Sequence, residues 1–336
     1  MNQLVEMSAE KLNAQPHRKA IQGLLLATLF WGISFPTMRA LSKIQSMVIP
    51  DLNSWTFTAI IVVARFSIAA LIVAIFNWKE IRKLGRSELE QGLGLGFFGS
   101  IGIVFQMDAL YYTDASISAF LTQCYCIWIP FFVHLRMRKA PKMELVLSTL
   151  LVILGIATLS NFDPQNLHFG RGEVETIIAS LFFAAQILWL ERPKFKDNRT
   201  GPSTFAMFVT MALTSLPIAL YGDGQLAKSW ELLLQPDTLA LLGILAIFCT
   251  LSPFLLMNYW QRKVSATEAG LIYCIEPIFA AIFAGFLPEI FAAFSKIDYP
   301  NESPTVRILI GGALITCANL LLQFAGNWRK RRLLLN

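Results

Sequence analysis

The chain has 336 residues, of which 55% are hydrophobic and 15% are charged, and its formal net charge is +6. Soluble domains carry about 25% charged residues, so the composition excludes an ordinary soluble globular protein. An excess of basic residues is also typical of nucleic-acid-binding proteins. The positions of these residues in the sequence decide whether that alternative holds.

Ten apolar segments follow one another along the chain, separated by short polar loops. A bilayer core about 30 Å thick needs roughly 20 apolar residues in a helix, so each segment predicts one transmembrane helix. The predicted helices span residues 20–42, 54–78, 92–112, 116–137, 143–161, 173–190, 203–221, 238–260, 266–287 and 306–326. We therefore expect an all-α polytopic protein with ten transmembrane helices, located in the cell (inner) membrane.

Basic residues are concentrated in alternate loops. The clusters lie at residues 79–86, 136–142, 192–199, 262–263 and 329–332. Ten crossings place every cluster on one side of the membrane, which the positive-inside rule identifies as the cytoplasm. Both termini are therefore predicted to be cytoplasmic, with an N-terminal tail at 1–19 and a basic C-terminal tail at 328–336. Membrane topology accounts for the net charge, and no nucleic-acid partner is predicted.

The two halves of the chain are weakly similar to each other. Residues 27–32 align with residues 179–184, and residues 114–116 align with residues 265–267 at nearly the same spacing. Because each half has an odd number of predicted helices, the halves have opposite orientations in the membrane. Inverted repeats of this kind are typical of secondary transporters, whose substrate site lies near the membrane midplane between the repeats.

Several short motifs carry a resemblance to a known family. They are residues 27–32 in the first segment, 65–66 in the second, 109–116 at the turn from the third to the fourth, and 265–269 with 276–277 in the ninth. From residue 20 to residue 326 the chain resembles the drug/metabolite transporter superfamily, specifically its EamA-type permeases. The resemblance implies two five-helix repeats, at 20–161 and 172–327, and transport of small organic metabolites, often export of amino acids. One departure is the stretch 288–304, where the family usually has a tight turn before the last helix.

Glu276 is the strongest candidate for a functional side chain. It lies near the middle of the ninth segment, where an ionisable group is costly and indicates a functional site. Pro277 removes one backbone hydrogen bond, which frees a carbonyl and favours a kink. Two interpretations of Glu276 stay open: a carboxyl that takes part in transport, including as a proton carrier, and a structural carboxyl that bonds to a neighbouring helix.

Two further charged residues inside predicted helices are functional candidates. Asp108 lies in the outer third of the third segment. It is interpreted either as a substrate or proton site or as an acid that faces water at the membrane interface. Arg65 lies near the middle of the second, where it binds an anionic substrate group or forms a structural ion pair with Asp108 or Glu276. In the family the third, fourth, eighth and ninth helices line the central cavity, and their polar and aromatic residues add four path candidates: Gln123, Tyr125, Asn258 and Tyr273.

Three residues are predicted to cap helices. Asp114 and Ser265 each precede an apolar segment, and their side-chain oxygens suit the free amides of a helix N-terminus. Ser265 and Glu268 also fit the spacing of a capping box. The three histidines are scattered, so no metal site is predicted, and no cofactor is expected.

These features together predict a secondary transporter that moves a small organic metabolite, such as an amino acid or related solute, by alternating access. The alternatives are a facilitative channel and a non-transporting membrane scaffold. An enzyme is not expected, because no catalytic groups cluster at one membrane face. The expected partners are a small-molecule solute, the lipid bilayer and, as coupling ion, a proton carried by Glu276 or Asp108. The sequence leaves the substrate, the direction of transport and the oligomeric state open, a homodimer included.

Overall fold

The computed structural model describes residues 2–137, 143–159, 170–222, 226–264, 269 and 272–335. Side chains are described over the same ranges, except at residues 2–16, 322–335 and a few isolated positions. Within these ranges the chain forms helices and turns, and no β-strand occurs. The prediction of an all-α protein is confirmed for this part of the chain.

The described residues form a succession of helices, which we number in chain order. They are α1 (Asn2–Val48), α2 (Ser54–Ile81), α3 (Arg86–Ala109), α4 (Ala115–Thr122), α5 (Tyr125–Met137), α6 (Met143–Leu159), α7 (Arg171–Leu190), α8 (Thr200–Tyr221), α9 (Leu226–Leu233), α10 (Pro236–Ala246), α11 (Ser252–Trp260), α12 (Glu276–Ala284), α13 (Leu287–Ser295) and α14 (Val306–Leu335). A π-helical turn, Ile247–Leu251, joins α10 to α11. The helix α1 runs through the predicted N-terminal tail into the first apolar segment.

Six of the described helices are long and apolar enough to cross a membrane, and a bent pair adds a seventh. The bent pair is α12 with α13, whose axes differ by 49°. The fourth, fifth and tenth predicted segments contain shorter apolar helical stretches. These are Ala115–Ile129, which includes the turn between α4 and α5, Met143–Leu159, which is α6, and Val306–Leu321, the first part of α14. The protein is therefore a polytopic helical membrane protein, and the full number of ten crossings stays a prediction.

A row of glycines on α3 lets this helix approach its neighbour closely. A Cβ atom added at Gly92 would lie 2.4 Å from the Cβ of Ala206, and one at Gly96 would lie 2.5 Å from the Cβ of Thr210. Small residues at such positions are the usual means of close helix packing in membranes. The glycine face of α3 therefore fixes the contact with α8.

The two halves of the chain are interleaved rather than packed as separate bundles. Helices α2 and α3 of the first half pack on α8 of the second, α3 also packs on α7, and α6 packs on α14. A buried hydrogen bond of 2.8 Å between the hydroxyls of Ser100 and Ser215 joins α3 to α8. Any cavity bordered by these helices is consequently shared by both halves.

Two of the predicted segments contain a break. The fourth segment is interrupted at Gln123 and Cys124, between α4 and α5. The ninth is interrupted at Cys274 and Ile275, so that α12 begins at Glu276. The stretch 288–304, expected to be a loop, continues instead as α13 up to Ser295.

Candidate functional site

An internal cavity of about 80 Å³ lies between the two halves. The residues that line the cavity are Trp31, Ser34, Phe35, Arg65, Ile103, Gln106, Thr122, Tyr125, Phe183, Gln186, Ile187, Cys249, Phe254, Met257, Tyr273 and Glu276. Its wall is mostly aromatic and aliphatic, with one guanidinium and one carboxyl as its charged groups.

Arg65 brings a positive charge into this cavity from α2. The side chain is 1% exposed, and its Nε donates to Thr250 Oγ1 over 2.8 Å. Its Nη1 lies 3.5 Å from the Sδ of Met38, and the guanidinium lies 5.1 Å from the centre of the Phe66 ring. No carboxylate among the described residues lies within ion-pairing distance of Arg65. Since a buried charge is costly without a partner, the guanidinium is suited to an anionic group that enters the cavity.

Glu276 brings a carboxyl into the same cavity as the first residue of α12. The residue is 8% exposed, and no hydrogen bond to it occurs among the described residues. The structural alternative, a hydrogen bond from Glu276 to a neighbouring helix, therefore has no support in the described part of the chain.

The two helix breaks meet at the cavity. Pro277 lacks the N–H that would bond to the carbonyl oxygen of Tyr273, and Gln123 donates its Nε2 to that oxygen over 3.1 Å. The freed carbonyl expected from the proline is thus present, and the break of the first half satisfies it. Tyr125 and Glu276, the first residues after the two breaks, both line the cavity.

Aromatic side chains hold the walls of the cavity in place. The Trp31 ring makes edge contacts with Tyr273 at 5.6 Å and Phe254 at 5.7 Å. The hydroxyl of Tyr273 donates to Gln261 Oε1 over 2.7 Å, so this ring is fixed at both ends. Edge-to-face pairs of this kind give a rigid apolar surface.

The cavity brings together four of the seven predicted path residues: Arg65, Tyr125, Tyr273 and Glu276. Gln123 lies behind the wall and bonds to Tyr273. Asn258 donates to Thr204 Oγ1 over 2.8 Å, and its side chain does not line the cavity. The alternative in which Arg65 pairs with Asp108 is wrong, because Asp108 lies elsewhere on α3 and pairs with Arg171 at 2.5 Å.

Helices beyond the expected third, fourth, eighth and ninth also line the cavity. Trp31 and Phe35 come from α1, and Phe183 and Gln186 come from α7. Gln186 was not predicted as a cavity residue, although a glutamine inside an apolar segment indicates a polar contact within the protein. The aromatic residues gave no such signal, because most of the predicted helices contain them.

The predicted helix caps have different outcomes. Asp114 stands at the N-cap position of α4 but makes no capping hydrogen bond, because its carboxylate pairs with Arg39 at 2.7 Å. Glu302 takes that role instead, accepting from the amides of Ala115 at 2.8 Å and Ser116 at 3.1 Å. The predicted caps Ser265 and Glu268 lie outside the described residues.

Known proteins resemble this chain in sequence and in fold. A protein named "Uncharacterized transporter" from Archaeoglobus fulgidus is 25% identical over 264 residues, which cover 78% of this chain and 76% of the relative. A protein of the same name from Haemophilus influenzae is 28% identical over 138 residues, which cover 40% of this chain and 78% of the relative. A solved crystal structure matches 94% of this chain and 99% of its own with a TM-score of 0.56; at 16% identity this likeness concerns the fold alone.

A family model matches both halves of the chain separately. The model describes the EamA-like transporter family, and it matches residues 18–161 and again residues 171–324. The two matches together cover most of the sequence, with the motifs and the cavity residues inside them. The chain therefore belongs to the EamA-like transporter family.

Proposed function

We propose that this protein is a secondary transporter that moves a small zwitterionic metabolite, an amino acid or related solute, across the cell (inner) membrane by alternating access. The observation that carries the proposal is the cavity shared by the two halves, with Arg65 and Glu276 both unpaired among the described residues. An ammonium and a carboxylate on one small molecule would satisfy both groups. The aromatic wall would contact the apolar part of such a solute.

The two broken segments support a transport role for the cavity. Secondary transporters commonly place discontinuous helices at the substrate site, where free helix ends and carbonyls meet the ligand. Here α5 and α12 begin at the cavity, one in each half. This is the arrangement expected of ten crossings in two inverted repeats, 20–161 and 172–327, with both termini in the cytoplasm.

The first test is counterflow of labelled amino acids in proteoliposomes that contain the purified protein. We expect saturable counterflow in the wild type and a loss of about tenfold or more in Glu276→Gln and in Arg65→Gln, because a charge-assisted hydrogen bond contributes about 1.5–3 kcal/mol. Glu231→Gln is the matched control, since Glu231 is an exposed acid on α9 far from the cavity lining.

Substrate analogues identify which charge each residue recognises. An N-acetylated amino acid lacks the ammonium, so it should be a poor substrate of the wild type and Glu276→Gln should no longer distinguish it from the parent compound. An amino-acid amide lacks the carboxylate, so it should also be a poor substrate of the wild type. Arg65→Gln should no longer distinguish this amide from the parent amino acid. Flux without counterflow would identify a channel, and no flux with any amino acid would overturn the zwitterion proposal. The melting temperature of each variant in detergent verifies that it is folded.

A further inference from the structure

Arg171 holds two carboxylates where α3 ends and α7 begins, away from the cavity lining. Its Nη2 donates to Asp108 Oδ2 over 2.5 Å, and its Nε donates to Glu175 Oε1 over 2.7 Å. These two nitrogens form one edge of the guanidinium, which commonly binds a single carboxylate with both donors. The shared edge therefore places the two carboxyls side by side on one guanidinium.

Both carboxyls are buried, and each has one oxygen without a partner. Asp108 is 0% exposed and Glu175 is 6% exposed. Asp108 Oδ1 and Glu175 Oε2 have no hydrogen-bond partner among the described residues. Two ionised carboxylates on one guanidinium leave an excess negative charge in a buried place, which is costly. One proton shared by the pair would remove that charge and provide the missing donor.

The other titratable groups near the pair include one cation, Arg39, and its charge is paired with Asp114. They are Tyr111 and Tyr112 in the turn after α3, Glu173 on α7, and the ion pair of Arg39 with Asp114. Tyr112 accepts from Arg171 Nη1 over 2.7 Å, and its ring lies 4.2 Å from the guanidinium. Helix α4 has no charged residue, and the first two turns of α2 contain none either. In the described part of the chain, Arg171 is thus the one cation bound to either carboxylate.

We propose that Asp108 and Glu175 form a proton-binding site that controls the separation of α3 from α7. The carboxyls belong to different halves of the chain, so their protonation acts on the contact between the halves. The protonated pair is neutral with Arg171 and joins the two helices. Loss of the proton leaves two like charges on one guanidinium, and their repulsion favours the separation of this end of the contact.

The role of this proton site rests on the proposed transport function, to which it adds a binding site for the coupling ion. Alternating access requires the two halves to separate at one end of the cavity while they stay joined at the other. In the proposed topology the Asp108–Glu175 pair lies at the outer end. A proton taken up there would stabilise the closed outer end, and its release would favour opening toward the outside.

Infrared difference spectroscopy of the full chain in liposomes tests the proton site without any substrate. We expect a protonated-carboxyl band that disappears as the pH rises and is lost in both Asp108→Asn and Glu175→Gln, because the proton belongs to the pair. Glu173→Gln is the matched control from the same turn of α7 and should keep the band. A band that survives in either pair variant, or no titrating band at all, would overturn the proposal.

Labelling of a cysteine next to Glu175, where α7 meets α4, tests the structural consequence. Thr176 is fully buried on α7, and its hydroxyl lies 3.2 Å from that of Ser118 on α4. In a chain whose native cysteines are replaced by alanine, Thr176→Cys should react faster with an impermeant maleimide as the pH rises. The double variant with Glu175→Gln is the control, because its thiol also becomes more reactive as the pH rises. Its labelling rate should increase less with pH than that of Thr176→Cys alone. Equal increases in the two backgrounds would contradict control of the contact by the pair.

The two proposals fail independently of each other. Counterflow that is saturable but shows the same pH profile in wild type and Glu175→Gln would retain the transporter and reject the proton site. A titrating band that depends on both carboxyls, with no flux of any amino acid, would retain the proton site and reject the zwitterion transporter.

Discussion

At the scale of single residues, a helix cap is supplied by a distant side chain. Asp114 has the right identity and position for an N-cap of α4, yet its carboxylate binds Arg39. Glu302 instead bonds to the amides of Ala115 and Ser116 and to the hydroxyl of Ser116 at 2.6 Å. The choice follows from charge: a neighbouring guanidinium competes for the local carboxylate, and a second acid is free to meet the helix N-terminus.

Loss of the Glu302 cap should destabilise the protein more than loss of the Asp114 ion pair. We expect Glu302→Ala to lower the free energy of unfolding by about 1–2 kcal/mol, the usual contribution of an N-cap. Asp114→Ala should lower it by about 0–1 kcal/mol, since half-exposed ion pairs contribute little. Thermal unfolding in detergent measures both, and Glu289→Ala, an exposed acid on α13, is the control. A larger effect from Asp114→Ala would show that Asp114 is the true cap.

At the scale of helices, the break before α12 determines the shape of the site. Pro277 leaves the carbonyl of Tyr273 free, and Gln123 from the other half bonds to it. An unbroken ninth segment would satisfy that carbonyl within the helix and leave the Gln123 amide without its partner. The break therefore joins the two halves at the cavity, and it presents Glu276 at a helix start.

Pro277→Ala should reduce transport without reducing the stability of the fold. The alanine N–H can bond to Tyr273, so the free energy of unfolding should stay the same or rise, by up to about 3 kcal/mol. Counterflow should fall, because Glu276 no longer begins a helix at the cavity. Pro217→Ala, which removes an exposed proline from α8, should leave counterflow unchanged. Wild-type flux in Pro277→Ala would show that the break is not needed.

At the scale of the whole molecule, α3 is tied to the second half at both of its ends. Glu88 near its start pairs with Arg199 at 2.7 Å, and Asp108 near its end pairs with Arg171 at 2.5 Å. Between these ion pairs the glycine face of α3 packs directly on α8. The two halves therefore have one common core, and neither half has a separate interior.

Adding a methyl group to the glycine face should loosen this common core. The Cβ of Gly96→Ala would lie 2.6 Å from the carbonyl oxygen of Met207, which is backbone and cannot rotate away. We expect a loss of about 1–3 kcal/mol in the free energy of unfolding, the usual cost of overpacking. Gly243→Ala on α10 is the control, because its Cβ would meet no atom within 4 Å. Unfolding in detergent should show no loss for this variant, and equal losses for both would contradict the tight α3–α8 contact.

The sequence was informative where one residue's chemistry decides its position. Apolar length predicted the helices, Pro277 predicted the free carbonyl, and the buried charges Arg65 and Glu276 predicted two groups of the cavity. Pairings between distant segments were not predictable, because Arg171 and Glu302 lie close to Asp108 and Ser116 only in the folded chain. For Arg65, an anionic substrate group and an ion pair with Asp108 or Glu276 were both open, and only the folded arrangement excludes Asp108 as its partner.

The Glu302 cap also has a consequence for biosynthesis. The capping acid is 187 residues further along the chain than the Ala115 amide it binds. During translation α4 is therefore made long before its cap, and its first amides depend on other partners until the segment after α13 emerges from the ribosome. A nascent chain that stops before residue 302 contains the first half complete in sequence but with an uncapped α4, so the final closure of the first half waits for the synthesis of the second.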